Sequence, residues 1–399
     1  MVRARIDKIS SFGGLAINIV GILLYLVFAE FVFYFTILKD INTDTDYYVS
    51  QNFHGQELED ALQFKKDLDS LGERAVIVPG TTIYKYKPAK TKSFTINSFG
   101  FRGEEFTKKK DDEYRIVFFG NSKILGPMLP EKDTIPVLVQ EKLREHFKNE
   151  KKKITVFNFG IEAFNIQRAI EAAKLYHSNL EADFVVFYSV VIDVNEAYSM
   201  GAYDVKPFVE GDNVPEIFRA QNNGWHLSKL KLLYILRAAL LSDMYKFEMN
   251  GAQRDVMTIP IPPIQLHFMN AFPPAYAARI KEISDYFKKY NINSLIVMPP
   301  LIQTKSSLSE SEKNLMFQRE ILAPGVNHFT RDCYLKTIDE VMRLADVNAV
   351  DHSGIFNGIK ETVFYDGLHL TPGMSRMSAE KISADLIKII ESEHCLDQK

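Results

Sequence analysis

The sequence has few of the features that mark a specialised class of protein. Only two of its 399 residues are cysteines, Cys333 and Cys395, too few for a disulfide framework or a cysteine metal cluster. Basic charge is not in excess, since 48 lysines and arginines stand against 51 acidic residues, whereas a dedicated nucleic-acid-binding protein carries a basic surface. Metal-ligand spacings, phosphate-binding glycine loops and dinucleotide fingerprints are also missing. We therefore expect no metal, no cofactor and no nucleic-acid partner, and we expect both cysteines to be free thiols.

The composition is that of an ordinary globular protein. Hydrophobic residues make up 46% of the chain and charged residues 25%, which excludes a disordered or collagen-like chain. The length suits one large domain with appendages, or two domains.

The longest apolar run covers residues 12–38 and contains a single charge, Glu30. A helix of this length measures about 40 Å, more than the roughly 30 Å hydrocarbon layer of a bilayer. One alternative is a buried core helix, but such helices seldom exceed about 20 residues. A cleaved signal peptide is the other, but its apolar region is usually about 7–15 residues long and ends in a small-residue cleavage site, which is missing after Leu38. We predict one uncleaved transmembrane helix over residues 12–38.

The charges that flank this run predict its orientation. Three basic residues lie in residues 1–11, and Lys39 is the only base shortly after the run. The positive-inside rule therefore places residues 1–11 in the cytoplasm and the main part of the chain in the periplasm or outside the cell. Glu30 is costly inside a bilayer, so it indicates a membrane-protein partner or a proton-accessible site, unless its carboxyl snorkels to the interface or is protonated.

The part of the chain after the predicted anchor divides into two regions. Residues 39–95 are polar and aromatic, and we interpret them as a membrane-proximal linker and lead-in. Residues 96–399 form the main domain, in which short apolar runs alternate with helical patterns. The predicted strands are 115–120, 154–159, 184–190, 293–298 and 348–350, and the predicted helices are 136–147, 166–177, 275–290, 330–344 and 373–392. Apolar strands that alternate with helices predict a parallel sheet covered on both faces.

Residues 200–274 interrupt this alternation, and we interpret them as an insertion at one edge of the sheet. A helix is plausible over 227–241. Five prolines, among them Pro273 and Pro274, follow between residues 260 and 274 and predict an extended or looped chain there. The insertion would serve as a cap over a substrate, as a membrane-facing or partner-facing surface, or only as a structural elaboration.

Candidate catalytic residues lie where the strands of such a sheet end. Ser122 follows the first strand, at a turn that can expose its hydroxyl while its N–H lies at a helix N-terminus; the alternative is a plain helix cap. Asp366 and His369 lie three residues apart in a glycine-containing loop before the last helix. That spacing lets the aspartate orient the histidine as a base, although a capping aspartate beside an exposed histidine is the alternative. His352 is a competing candidate for the base.

The order and spacing of these segments resemble the SGNH (GDSL-like) hydrolase superfamily, over about residues 96–390. The resemblance implies a flavodoxin-like three-layer α/β/α sandwich with a parallel sheet. It also implies Ser122 as the nucleophile, His369 as the base and Asp366 as the residue that orients the imidazole. Asn121 stands where the family usually has aspartate.

Two further segments look like those of membrane-anchored bacterial members of the superfamily. One is the lead-in 96–103. The other follows the fourth strand and contains Lys305, Ser309 and Glu312.

The sequence departs from the family pattern at the oxyanion hole. The family's second-block glycine falls at Ala163, and its third-block asparagine falls at Ile192, which cannot donate a hydrogen bond. Losing one such donor typically costs about 10²–10³ in rate. The candidate donors are the N–H groups of Ser122 and Ala163 and the side chain of Asn195, with Asn121 and Asn158 as other possible substitutes.

Two functional hypotheses follow. The first is a membrane-anchored, extracytoplasmic serine esterase or O-acyltransferase that acts on acyl esters, for example small esters or acyl groups on cell-envelope glycans. The second is a catalytically degenerate SGNH-like module that binds a glycan or a membrane-protein partner.

Overall fold

The computed structural model describes residues 45–70, 75–188, 190–203, 263–322 and 325–392. Almost all of them belong to one compact unit, made of residues 48–214 and 257–399. The predicted membrane span at 12–38, the predicted helix at 227–241 and Cys395 lie outside the described residues. No helix in the described part of the chain is long and apolar enough to cross a membrane.

The described residues form ten α-helices, two short 3₁₀ helices (Glu131–Asp133 and Ile302–Thr304) and nine strands. The strands are β1 (Ala75–Ile77), β2 (Tyr84–Tyr86), β3 (Ala89–Lys90), β4 (Thr95–Ile96), β5 (Glu113–Gly120), β6 (Lys153–Gly160), β7 (Phe184–Tyr188), β8 (Asn293–Met298) and β9 (Ala349–Asp351). The helices are α1 (Thr45–Asn52), α2 (Gln56–Ser70), α3 (Ser122–Leu125), α4 (Ile135–His146), α5 (Ile166–Leu180), α6 (Val191–Tyr203), α7 (Pro263–Lys288), α8 (Glu310–Leu322), α9 (Val326–Met342) and α10 (Pro372–Ser392).

The centre of the fold is a five-stranded sheet in the order β6-β5-β7-β8-β9. Every neighbouring pair is parallel, as the alternation of strands and helices predicts. Helix α4 packs against α10, whereas α7 packs against α5, α6 and α9. Right-handed crossovers place these two groups on opposite faces of the sheet. The strand order is that of flavodoxin-like folds, in which the chain reverses direction across the sheet beside β5.

The central strands are apolar because both of their faces are covered. All five residues of β7 and seven of the eight residues of β5 are buried. Phe119 stacks between Phe159 and Phe187 on neighbouring strands, with ring centroids 5.3 and 5.7 Å apart. Strands β5 and β6 both end in glycine, and a Cβ on Gly160 would collide with the backbone of α3. The strand therefore ends in glycine so that the short helix after β5 can pack against it.

The region interpreted as a linker and lead-in has structure of its own. Strands β1 and β2 form one antiparallel pair, and β3 and β4 form another. Phe53, which directly follows α1, Phe64 of α2 and Phe94 are buried in the same hydrophobic cluster as Phe119 of the central sheet. Residues 49–70 and 75–95 therefore pack as part of the main domain.

The expectation of an extended or looped chain up to residue 274 is wrong for its last twelve residues. Helix α7 begins at Pro263 and contains Pro273 and Pro274. A proline is tolerated at the start of a helix, whereas interior prolines remove backbone hydrogen bonds. The buried side chains of Met269 and Tyr276 on either side of the pair hold the helix against the core. Residues 204–262, most of the insertion, lie outside the described residues.

Candidate active site

The candidate nucleophile lies at the start of α3, directly after the carboxyl end of β5. Asn121 caps this helix, because its side chain accepts a hydrogen bond from the N–H of Lys123 at 3.0 Å. Ser122 is the first helical residue and is 4% exposed. The strand-to-helix turn therefore presents a hydroxyl at the point where the sheet changes direction, which is where open α/β sheets form their sites.

The structure brings the three predicted catalytic residues together. The Oγ of Ser122 lies 2.7 Å from Nε2 of His369, and Nδ1 of His369 lies 2.7 Å from Oδ2 of Asp366. A carboxylate only accepts, so it requires the hydrogen of the neutral imidazole on Nδ1. Nε2 then carries the lone pair and accepts the hydroxyl hydrogen of Ser122.

Asp366 is held by its own loop. Its Oδ1 accepts the backbone N–H groups of Leu368 at 3.0 Å and of His369 at 2.8 Å. Burial raises the pKa of Asp366, but the attraction of His369 and these hydrogen bonds outweigh it, so the pKa lies below its ordinary value. Asp366 is therefore ionised at neutral pH, as the orientation of an imidazole by a carboxylate would require.

The loop that carries both residues is closed at its base. Phe364 and Leu370 form an antiparallel bridge. The N–H of Tyr365 donates to the carbonyl of His369, and the N–H of Thr371 donates to the carbonyl of Val363, both at 3.0 Å. Asp366 and His369 therefore lie in a short, hydrogen-bonded loop rather than in an open strand.

Two of the candidate oxyanion donors lie outside α3: Ala163 follows β6, and Asn195 lies in α6. Ala163 has a φ of 53°, a left-handed conformation that suits the glycine usual in the family. Ile192 and Asp193 lie in the first turn of α6, and Asp193 accepts the N–H of Ile166 at 2.8 Å. Asn195 is one turn further along α6, and its Oδ1 accepts a hydrogen bond from Arg319 at 3.2 Å.

The other two candidate asparagines, Asn158 and Asn121, differ in the hydrogen bonds that they form. Asn158 donates to the carbonyl of Ile124 at 2.8 Å and accepts the N–H of Gly160 at 2.9 Å. The Nδ2 of Asn121 is buried and has no hydrogen-bond partner among the described residues. The structure therefore ties Asn158 to the packing of α3 and leaves Asn121 with an unused donor beside Ser122.

His352, the competing candidate for the base, is engaged elsewhere. It is 1% exposed, and its Nε2 lies 2.7 Å from Oδ2 of Asp385 on α10. Burial lowers the pKa of His352, although Asp385 opposes the shift. The imidazole that Ser122 contacts is that of His369.

Two cations near the site were not singled out from the sequence. Lys123 is buried, donates to the carbonyl of Pro300 at 2.7 Å and lies over the ring of Phe364 at 5.3 Å. Burial lowers the pKa of Lys123 to about 7, and the charge of Asp366 opposes this shift. Burial likewise lowers the pKa of Arg319, again against the pull of Asp366. No local motif marks either residue, because the partners of each come from distant parts of the chain.

Arg102 is a third buried cation beside the site. In the sequence it belongs to the lead-in 96–103, which resembles a segment of the superfamily but does not mark Arg102 itself. Arg102 is 1% exposed. It donates to the carbonyls of Leu125 at 3.0 Å, Gly126 at 2.6 Å and Leu129 at 2.7 Å. It therefore caps the C-terminal end of the helix that begins with Ser122.

Solved structures similar to this chain are mainly esterases and lipases. The lipase/acylhydrolase from Enterococcus faecalis has 11% identity and a TM-score of 0.34, over 70% of this chain and 96% of its own. A putative lipolytic protein of the G-D-S-L family from Desulfitobacterium hafniense has 8% identity and a TM-score of 0.37, over 68% and 99%. The psychrotrophic esterase EstA from a Pseudoalteromonas species has 9% identity and a TM-score of 0.35, over 70% and 100%.

No protein-family model and no curated protein matches this chain. The solved structures that resemble it include a lipase/acylhydrolase and a putative lipolytic protein of the G-D-S-L family. These likenesses are remote, and the chemistry of the site rests on its own residues.

Proposed function

We propose that the protein is a serine esterase or O-acyltransferase that acts on acyl esters. The observation that carries the proposal is the chain of two 2.7 Å contacts from Ser122 Oγ through His369 to Asp366. A nucleophile within reach of a base, which is itself oriented by a third group, is the arrangement that covalent acyl transfer requires.

The mechanism follows from the direction of these hydrogen bonds. When an ester carbonyl carbon reaches Ser122 Oγ, His369 Nε2 takes the hydroxyl proton as the Oγ–C bond forms, and the carbonyl π electrons move to oxygen. Asp366 stabilises the resulting imidazolium. As the ester C–O bond breaks, His369 returns the proton to the leaving alcohol, and the acyl group stays on Ser122.

The second half of the reaction repeats these steps with a new nucleophile. Water or an acceptor hydroxyl loses its proton to His369 and attacks the acyl carbon, and the Oγ–C bond then breaks as Ser122 recovers a proton. Water gives a carboxylic acid and hence hydrolysis, whereas a sugar hydroxyl gives a new ester. The same residues thus serve both outcomes, and the acceptor decides between them.

We propose the N–H groups of Ser122 and Ala163 and the side chain of Asn195 as the oxyanion donors. The left-handed backbone at Ala163 is supported by its neighbours. Arg168 donates to the carbonyl of Ala163 at 3.1 Å, and the N–H of Glu162 reaches the hydroxyl of Tyr86 at 3.4 Å. Arg319 donates to Oδ1 of Asn195, and the amide Nδ2 is the donor atom of that side chain.

Location and substrate are part of the same proposal. The predicted helix at 12–38 anchors the protein in the bilayer, with the catalytic domain in the periplasm or outside the cell. An enzyme in that place meets small esters and the acylated glycans of the cell envelope, which we propose as its substrates. Glu30 in the anchor is the feature that favours a membrane-protein partner.

A fluorophosphonate probe on the full-length protein tests the proposal. We expect wild type to be labelled and Ser122→Ala to lose the label, with Ser98→Ala, an exposed serine in the lead-in, as the matched control. Product analysis with a short acetylated glycan, with and without an acceptor sugar, separates hydrolysis from transfer. Persistent labelling of Ser122→Ala would rule out Ser122 as the nucleophile.

The second candidate is a non-catalytic binding module. The observation that favours it is Ile192, an apolar side chain where the family pattern has a donor. It predicts an unlabelled wild type, and a cellular phenotype that survives His369→Ala but not deletion of the insertion at 200–274.

A further inference from the structure

A buried ion pair lies outside the three proposed catalytic residues. The Nζ of Lys305 lies 2.5 Å from Oε2 of Glu312, and the two side chains are 1% and 0% exposed. Removing two charges from water is expensive, and an apolar pair of similar size is often at least as stable. The pair therefore calls for an explanation other than stability alone.

The remaining contacts of the pair join two separate segments. Oε1 of Glu312 accepts the backbone N–H groups of Val363 at 2.9 Å and Phe364 at 3.2 Å. Oε2 also accepts the N–H of Ser309 at 2.9 Å, and Lys305 donates to the carbonyl of Glu361 at 2.8 Å. One carboxylate on α8 thus binds the start of the loop that carries Asp366 and His369.

The position of these N–H groups in the loop matters for the geometry of the site. Val363 and Phe364 form the base of the closed loop, through the bridge from Phe364 to Leu370 and the hydrogen bond from Thr371 to Val363. Asp366 follows Phe364 by two residues. A shift of the base therefore moves Asp366 and His369 together.

Ser122 is held by contacts that do not involve Glu312. Its helix is capped by Asn121 at one end and by Arg102 at the other. Loosening the contacts of Glu312 would therefore move the imidazole relative to a serine that stays in place. A misplacement of about 1 Å can cost about 10²-fold in rate.

We propose that Glu312, with Lys305, is a positioning residue that fixes the Asp366–His369 loop against Ser122. This inference rests on the proposed acyl-transfer function. The side chain of Glu312 is fully buried, and it acts through the backbone of Val363 and Phe364.

The test compares three variants of the full-length protein with p-nitrophenyl acetate as the substrate. The value of kcat is expressed per active site titrated with a fluorophosphonate. In Glu312→Ala we expect this kcat to fall about 10²-fold, because the catalytic groups are misaligned. We expect KM to change less than about twofold, because the substrate is bound as before. In Lys305→Met/Glu312→Gln we expect kcat to recover by at least about tenfold, because the amide oxygen still accepts both backbone N–H groups without an unpaired buried charge. Glu310→Gln is the control, since it breaks an exposed pair with Lys313 on the same helix, and it should match wild type.

Hydrogen exchange of the peptide 360–371 separates this inference from the proposed function. We expect faster exchange in Glu312→Ala than in wild type and near wild-type exchange in the double variant. Unchanged exchange, or faster exchange with an unchanged kcat per titrated site, would overturn the positioning role. A KM that rises as far as kcat falls, or a double variant no better than Glu312→Ala, would do the same. A wild type that neither hydrolyses the ester nor labels would refute the proposed function, while the exchange data would still decide whether Glu312 holds the loop.

Discussion

Replacing Asp366 with asparagine tests the direction of every hydrogen bond in the proposed site. The side chain keeps its shape, and its Oδ1 can still accept the N–H groups of Leu368 and His369. The amide nitrogen then occupies the place of Oδ2 and donates to Nδ1 of His369. The imidazole must carry its hydrogen on Nε2, which donates to Ser122 Oγ and cannot take its proton.

The size of the effect follows from what the change removes and what it leaves. Both the base function of His369 and the charge that stabilises its imidazolium are lost, while Ser122, its helix and the oxyanion donors stay in place. The same change in a serine protease triad lowers kcat about 10⁴-fold, and we expect a loss of about 10³–10⁴, which is roughly 4–5.5 kcal/mol in the activation free energy.

Steady-state hydrolysis of p-nitrophenyl acetate by the full-length protein measures the loss, and far-ultraviolet circular dichroism confirms that the variant is folded. Asp385→Asn is the matched control, because it alters the other buried histidine–aspartate pair, with His352. An Asp366→Asn enzyme within about tenfold of wild type would refute the assignment of Asp366. A larger loss of kcat in Asp385→Asn than in Asp366→Asn would indicate that the catalytic histidine–aspartate pair is His352 with Asp385.

Two further predictions concern the helix that begins with Ser122. Arg102→Met should lower the free energy of unfolding by about 3–5 kcal/mol in urea titrations, because it leaves three buried carbonyls without a donor; a loss below about 1 kcal/mol would contradict the capping role. The pKa of Lys123 is about 7 in the folded chain and 10.5 in its ordinary state. Between these two pH values the folded chain therefore binds fewer protons at Lys123 than the unfolded chain does. The contribution of Lys123 to the free energy of unfolding consequently rises with pH across that window. The difference in that free energy between wild type and Lys123→Met should therefore grow in favour of wild type from pH 6.5 to pH 9, and an unchanged difference would refute the shift in pKa.

The sheet and the three proposed catalytic residues could be predicted because short stretches of the sequence indicate them. Strand β8 has the predicted bounds, and β5, β6 and β9 differ from them by only one or two residues, since apolar runs stopped by glycine, proline or polar residues define buried strands. Asp366 and His369 interact over three residues, a spacing that is visible in the sequence. Ser122 was identified by its place after a strand.

Other features depend on contacts that no local pattern reveals. The hydrogen-bonded residues Lys123 and Pro300 are 177 positions apart in the sequence. Glu312 and Val363, which are also hydrogen-bonded, are 51 positions apart. The helix through Pro273 and Pro274 forms because tertiary packing outweighs the local preference against it. Helices α1, α2, α6 and α8 were not predicted, since α1 and α6 have little amphipathic pattern and α2 and α8 lie in polar stretches.

The contacts of Arg102 also bear on where the main domain begins. The sequence predicts a domain from residue 96, but the guanidinium of Arg102 lies over the rings of Phe64 and Phe94, 5.1 and 5.8 Å from their centroids. These rings come from the region interpreted as linker and lead-in, and both are buried in the common core. A fragment that starts at residue 96 would expose Arg102 to water and weaken its hold on the carbonyls of Leu125 and Gly126, because hydrogen bonds to a charged group are stronger when water is excluded. The helix that presents Ser122 therefore depends on residues that precede the predicted domain, and a fragment that keeps this helix intact has to start before α2.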